Sequence, residues 1–125
     1  MKNKTKRQVN ITALLWLYYK LPQELVHKPA LLIGVSATRG GSYPIAELRM
    51  SSYKNTYLVY IPNHVIVQHV ESVLNTPKAD PKVKADAYVR GRIAHSLKVL
   101  EQYAKGLQLV RESGVEDRDN FPYGM

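Results

Sequence analysis

Cysteine is absent from the 125-residue sequence. That single lack excludes a disulfide framework, a thiolate zinc site and a thiol nucleophile, and it points to the reducing cytoplasm as the compartment. Histidine is sparse, and His27, His64, His69 and His95 form no i, i+4 pair on one helical face, so no metal site is expected. No apolar stretch is long enough to span a bilayer. Internal repeats and low-complexity runs are missing, as are Gly-x-Gly-x-x-Gly and Gly-Lys-Ser/Thr, which removes a dinucleotide fingerprint and a P-loop. Gly34-Val35-Ser36-Ala37-Thr38 comes near the hydrolase elbow but has Thr where the strained turn requires a second Gly.

What is present is the composition of a folded chain, 45% hydrophobic and 22% charged, with the length of one domain. The net charge of +8 suggests an anionic partner, and nucleic acid, an acidic membrane or a phosphorylated cofactor would each fit it. Its distribution argues against the first two. Lys2, Lys4, Lys6 and Arg7 crowd the first ten residues without one acid, leaving the body mildly basic. The apolar stretch Ile11 to Tyr19 that follows has the outline of a secretory signal, yet Lys20-Leu21-Pro22-Gln23-Glu24 offers no small-residue cleavage site. It therefore reads as a buried helix ended by Pro22.

Ala30 to Ser36 is a short apolar run without alternation, the pattern of a parallel strand covered on both faces. After Ala37-Thr38-Arg39-Gly40-Gly41, Ser42 can cap a helix whose first turn accepts Pro44 and which carries Ile45, Ala46, Leu48 and Met50. Lys54-Asn55 marks the turn out. Thr56 to Ile61 is β-branched and aromatic, a second strand expected to stop at Pro62-Asn63. Val65 to Leu74 is weakly amphipathic, and Asn75 to Lys82 reads as a loop. Asp80 should cap a long helix reaching Ser113. Its apolar stripe is Val89, Ile93, Leu97, Leu100, Ala104, Leu107 and Val110, predicted to dock on the sheet, and Gly114 closes it. The expected organisation is one α/β domain over 1–125: a basic tail at 1–10, a core segment at 11–76, the long helix at 80–113 and a polar tail at 115–125.

Ligands of open α/β sheets bind outside the carboxyl ends of the strands, where Ser36 to Gly41 lies. Gly40 and Gly41 would let a flat or anionic ligand approach the backbone, Ser36 and Thr38 could hydrogen-bond it, and Arg39 could meet a phosphate. The competing reading is a tight strand-to-helix turn with a solvated Arg39. His64, Tyr57, Tyr60, Glu101, Glu112 and the basic Lys78 to Lys84 stretch read as packing or solvated residues.

Lys28-Pro29-Ala30-Leu31-Leu32-Ile33-Gly34-Val35-Ser36, then Gly40-Gly41, Leu48-Arg49 and Tyr60-Ile61-Pro62, resembles the NAD(P)H-dependent FMN reductases of flavodoxin-like fold. Upstream, Ala13-Leu14-Leu15-Trp16-Leu17 is similar to the family's preceding helix, except that Leu15 stands where a carboxylate is common. The resemblance spans Ala13 to Leu74 and corresponds to the C-terminal half of the family's domain. Neither the Gly-Ser-x-Arg loop that holds the FMN phosphate nor the aromatic-Asn loop over the flavin has a counterpart in the sequence.

The resemblance implies a partial flavodoxin-like fold, with parallel strands flanked by helices. It also implies a cytoplasmic oxidoreductase of the FMN, quinone or azo reductase type with NADPH and FMN as cofactors. Ser36, Ala37, Thr38, Arg39, Gly40 and Gly41 would then be cofactor contacts, with no catalytic acid or base, because the cofactors carry hydride transfer. Two strands are fewer than the roughly five such sheets carry, so the chain is expected to be truncated relative to its fold. A homo-oligomer or a complementing chain should cover the exposed apolar faces. The alternative is a small basic nucleic-acid-binding or interaction protein without enzymatic activity.

Overall fold

The structure, a computed structural model, describes residues 22–51 and 56–122. The basic tail, the expected helix from Ile11 to Tyr19 and the Lys54-Asn55 turn lie outside the described residues. A single helical turn, Pro22–Leu25, leads into strand β1, Pro29–Val35, then helix α1, Ser42–Ser51, strand β2, Val59–Val67, a short 3₁₀ turn, Val70–Ser72, and helix α2, Lys84–Glu112. β1 and β2 pair in parallel as a two-stranded sheet. The class is α/β, with a long C-terminal helix, and the strand-loop-helix-strand order is the one the sequence suggested.

The helices take opposite faces of the sheet. Gly34 pairs with Ile66, and Gly34 faces Ile45 of α1, whereas Val65 and Val67 on the alternate face join Val73, Val89 and Ile93 of the core that α2 covers. β1 was expected to be covered on both faces. Both helices reach it, but the cover is incomplete: Ile33, 48% exposed, and Val35, 56% exposed, share the face of Val65 and Val67 and stay open at the sheet margin.

β2 does not stop at Pro62. The register steps from Ala30 opposite Tyr60 to Leu32 opposite His64, so Ile61, Pro62 and Asn63 bulge across from Leu31 alone. Proline has no N–H to give to a ladder, and a bulge is where a strand tolerates it. Arg49 makes the bulge possible, its Nη2 donating to Ile61 O at 3.0 Å and Pro62 O at 3.2 Å. The segment read as weakly amphipathic is thus partly strand, Val65 to Val67, followed by the 3₁₀ turn.

Asp80 does not cap the long helix. It accepts Lys82 N–H at 2.9 Å, and the helix begins at Lys84 behind Val83, which makes no side-chain cap. Asp86 holds this end instead. Almost wholly buried, it accepts Leu74 N–H at 2.7 Å, Asp80 N–H at 2.8 Å and Arg90 Nε at 3.1 Å. The N–H groups of Asp80 and Leu74, aided by Arg90, keep its carboxyl below the usual carboxylate range although burial opposes them.

The predicted apolar stripe is buried or half-buried at Val89, Ile93, Leu100, Ala104, Leu107 and Val110 and departs at one position, where Ser96 is fully buried and Leu97 is 51% exposed. Gly114 ends the helix as expected, in the left-handed region at φ 65°. The polar C-terminal segment folds back: Glu116 Oε2 lies 2.9 Å from His27 Nε2, and Phe121 O accepts the Tyr57 hydroxyl at 2.6 Å. Among the described residues no helix is long and apolar enough to cross a membrane.

Candidate functional site

Ser36 to Gly41 links the carboxyl end of β1 to the first turn of α1. Its position is fixed from the neighbouring strand. Ser36 N–H donates to Val67 O at 2.9 Å, Val70 N–H to Ser36 O at 3.2 Å, and His69 N–H to Thr38 O at 3.2 Å. Side chains add to this: the Ser36 hydroxyl donates to Thr38 O at 3.0 Å and Gln68 Nε2 to Arg39 O at 3.2 Å. Gly40 O accepts Tyr43 N–H at 3.2 Å as the helix begins.

One polarity results. The carbonyls of Ser36, Thr38, Arg39 and Gly40 are occupied by donors of the protein, whereas among the described residues no acceptor meets the N–H groups of Ala37, Thr38, Arg39 or Gly40. Ala37, Thr38 and Arg39 are exposed and Gly40 is half-buried. The Arg39 guanidinium forms no hydrogen bond or ion pair with another described residue. Donor groups and one cation therefore face whatever meets this end of the sheet, which suits an acceptor-rich or anionic ligand edge.

The glycines divide the work differently from the expectation. Gly41 is buried, and a Cβ there would stand 3.1 Å from Ile66 Cγ2 and 3.3 Å from Ser36 Oγ, so it packs the helix start against the sheet rather than offering backbone to a ligand. Gly34 matters more: a Cβ on it would fall 1.9 Å from Gly41 O. Only glycine allows the loop to return this close to its own strand. Gly40 keeps the expected openness, with Tyr43 Cδ2 as the nearest atom at 3.7 Å.

His64 does not sit in a solvent-exposed loop. It lies within β2, half-buried, with its Nδ1 enclosed and without a partner among the described residues, beside a cavity of about 260 Å³ lined also by Tyr88, Val89 and Arg92. Arg49 and Gly34, on which the loop's placement depends, carry sequence signals that are visible once the fold is known. A glycine interrupts an apolar strand, and an arginine sits four residues after the one buried helix position, Ile45. Glu101 stays on the solvated side of α2, paired with Lys105 at 2.7 Å. Against known proteins, the chain matches no family model, no curated protein and no solved structure.

Proposed function

We propose that the chain is a flavodoxin-like, FMN reductase-type cytoplasmic oxidoreductase in which Ser36 to Gly41 meets the edge of a flavin ring. The observation that carries this reading is the loop's polarity, with carbonyls engaged inward and the Ala37 to Gly40 N–H groups unclaimed by described residues. A flavin edge is rich in acceptors, and donors fixed at the end of a parallel strand are suited to it. When bound, FMN would supply the hydride chemistry with NADPH, while the chain's own residues hold and orient the ring. Arg39 is free for a phosphate of the nicotinamide cofactor. Since the sequence has no counterpart of the phosphate-gripping loop, FMN affinity is expected no tighter than roughly high micromolar to millimolar, a few kcal/mol of binding free energy. The test is a fluorescence titration of FMN with and without NADPH. FMN saturation in that range, together with an NADPH effect that Arg39→Ala weakens at unchanged thermal stability, supports the reading. FMN fluorescence that stays unchanged up to millimolar protein would sink it.

The second reading, association with another copy or a complementing chain, is favoured by the margin of β1. Lys28 O accepts Val59 N–H, and Ser36 binds both Val67 and Val70, so even-numbered residues of β1 turn their backbone groups to β2. Leu31, Ile33 and Val35 then present theirs to the open side, where no other strand lies among the described residues. An uncharged edge with exposed apolar side chains is a template for strand addition. Pro29 also falls on this side, where its missing N–H costs no ladder bond to β2. Light scattering distinguishes the outcomes: Ile33→Lys should convert an oligomer to monomer, and a wild-type monomer at all concentrations removes self-association.

A further inference from the structure

At the amino ends of the strands, opposite the Ser36 to Gly41 loop, a cavity of about 460 Å³ lies between the His27 turn, the last turn of α2 and the segment 114–118. Its size is that of a small-molecule site. Lys28, Arg111 and Arg118 line it, with His27, Glu24 and Glu116. Glu116 Oε2 is held 2.9 Å from His27 Nε2, and Glu24 is exposed to solvent, so three cationic side chains face two carboxylates, one of them already hydrogen-bonded. We propose that this cavity binds a small anion, a carboxylate- or phosphate-bearing molecule, between the guanidinium groups of Arg111 and Arg118.

Both arginines are positioned before any ligand arrives. Arg111 Nη1 donates to His27 O at 2.8 Å, and described residues accept no other bond from that guanidinium. Arg118 lies over the Tyr57 ring, 5.6 Å from its centroid, and the ring is fixed by its hydroxyl on Phe121 O. The Arg118 Nε is buried and has no partner among the described residues. The terminal nitrogens of Arg118 likewise meet no acceptor among the described residues, and neither do those of Arg111 apart from Nη1. A guanidinium fork with open donors is the group best matched to a planar carboxylate or a phosphate.

His27 adds a sign that the site is built. It holds the left-handed backbone region at φ 50°, a conformation that is retained where the surroundings over-determine it. Its N–H bonds Tyr57 O at 3.0 Å, and its ring meets the Tyr57 ring edge-on at 5.9 Å, so one turn orients the arginine platform and engages Glu116. The negative end of the α2 dipole points this way, but Arg111 in the last turn offsets it and the effect fades beyond that turn.

The experiment follows the Arg118 Nε–H resonance by NMR in the full chain, with inorganic phosphate and citrate titrated separately at constant ionic strength. Saturable shifts of Arg118 with either probe support the site, and the probe that saturates at lower concentration identifies the ligand as phosphate- or carboxylate-bearing. Arg118→Gln should weaken binding, followed through Arg111, by about tenfold or more. Lys98→Gln, on the exposed side of α2 and outside the cavity lining, should leave it unchanged. Shifts that grow linearly with both probes and equally at Arg92, Arg111 and Arg118 would overturn the proposal, as would saturation that survives Arg118→Gln in a folded variant.

Discussion

At the scale of single residues, the positions that matter most are those whose neighbours leave no freedom. Gly34→Ala would place a methyl group 1.9 Å from Gly41 O, a backbone atom that cannot move without shifting the start of α1. Overpacking of this kind costs about 1–3 kcal/mol, and a rigid backbone partner puts the expected loss at the upper end, to be read from urea denaturation midpoints. Leu97 and Ser96 reverse the ordinary expectation for their types. Leu97→Ala should change stability by only about 0.5 kcal/mol, because the side chain is half exposed. Ser96→Ala should be neutral or stabilising by up to about 1 kcal/mol, since it removes a buried hydroxyl with no partner among the described residues. A serine among heptad-spaced leucines gives no hint of burial in the sequence. Periodicity places the buried face of the helix, but where positions 96 and 97 both border that face it does not tell which of the two is enclosed.

Elements are held by groups that lie far apart in sequence. The β2 bulge stands on Arg49, and Arg49→Met, which keeps the stem and removes the donors, should cost about 1–3 kcal/mol by leaving the Ile61 and Pro62 carbonyls unmet. A midpoint within error of wild type would show that solvent replaces the guanidinium. The start of α2 depends on ionised Asp86, and this gives stability a pH dependence of known sign. A carboxyl whose folded pKa is depressed contributes fully above its unfolded value, about 3.9, and loses that contribution as pH falls through the lower folded value. Denaturation midpoints should therefore fall more steeply below about pH 4 in wild type than in Asp86→Asn. Parallel curves would separate Asp86 from the effect. The strand-helix-strand order was legible because Gly, Pro and Asn punctuate it, whereas the bulge was not. A proline at position 62 looks the same in sequence whether it ends a strand or sits in an irregularity that an arginine thirteen residues earlier supports.

For the molecule as a whole, what decided legibility was range. The β1–α1 loop was found because its residues are contiguous. The His27 and Glu116 pair, 89 residues apart, and the return of the C-terminal segment to Tyr57 have no local signature, so a segment that reads as a polar tail proves to be tied to the strand ends. If the open margin of β1 is covered by a second copy, the melting temperature should rise with protein concentration, since association stabilises by mass action. A concentration-independent transition in wild type and an unchanged one in Ile33→Lys would place the exposed margin in solvent.

The ties that fix Ser36 to Gly41 have a thermodynamic consequence. A loop bonded to Val67, His69, Val70 and Gln68, and closed against Gly34, has already lost the backbone entropy that a mobile binding segment gives up when it captures its ligand. Weak affinity at this site would then report too few contacts rather than the cost of ordering the chain. The distinction is measurable: the amides of His69 and Val70 should be protected from hydrogen exchange before any ligand is added, and protection there should change little when one binds.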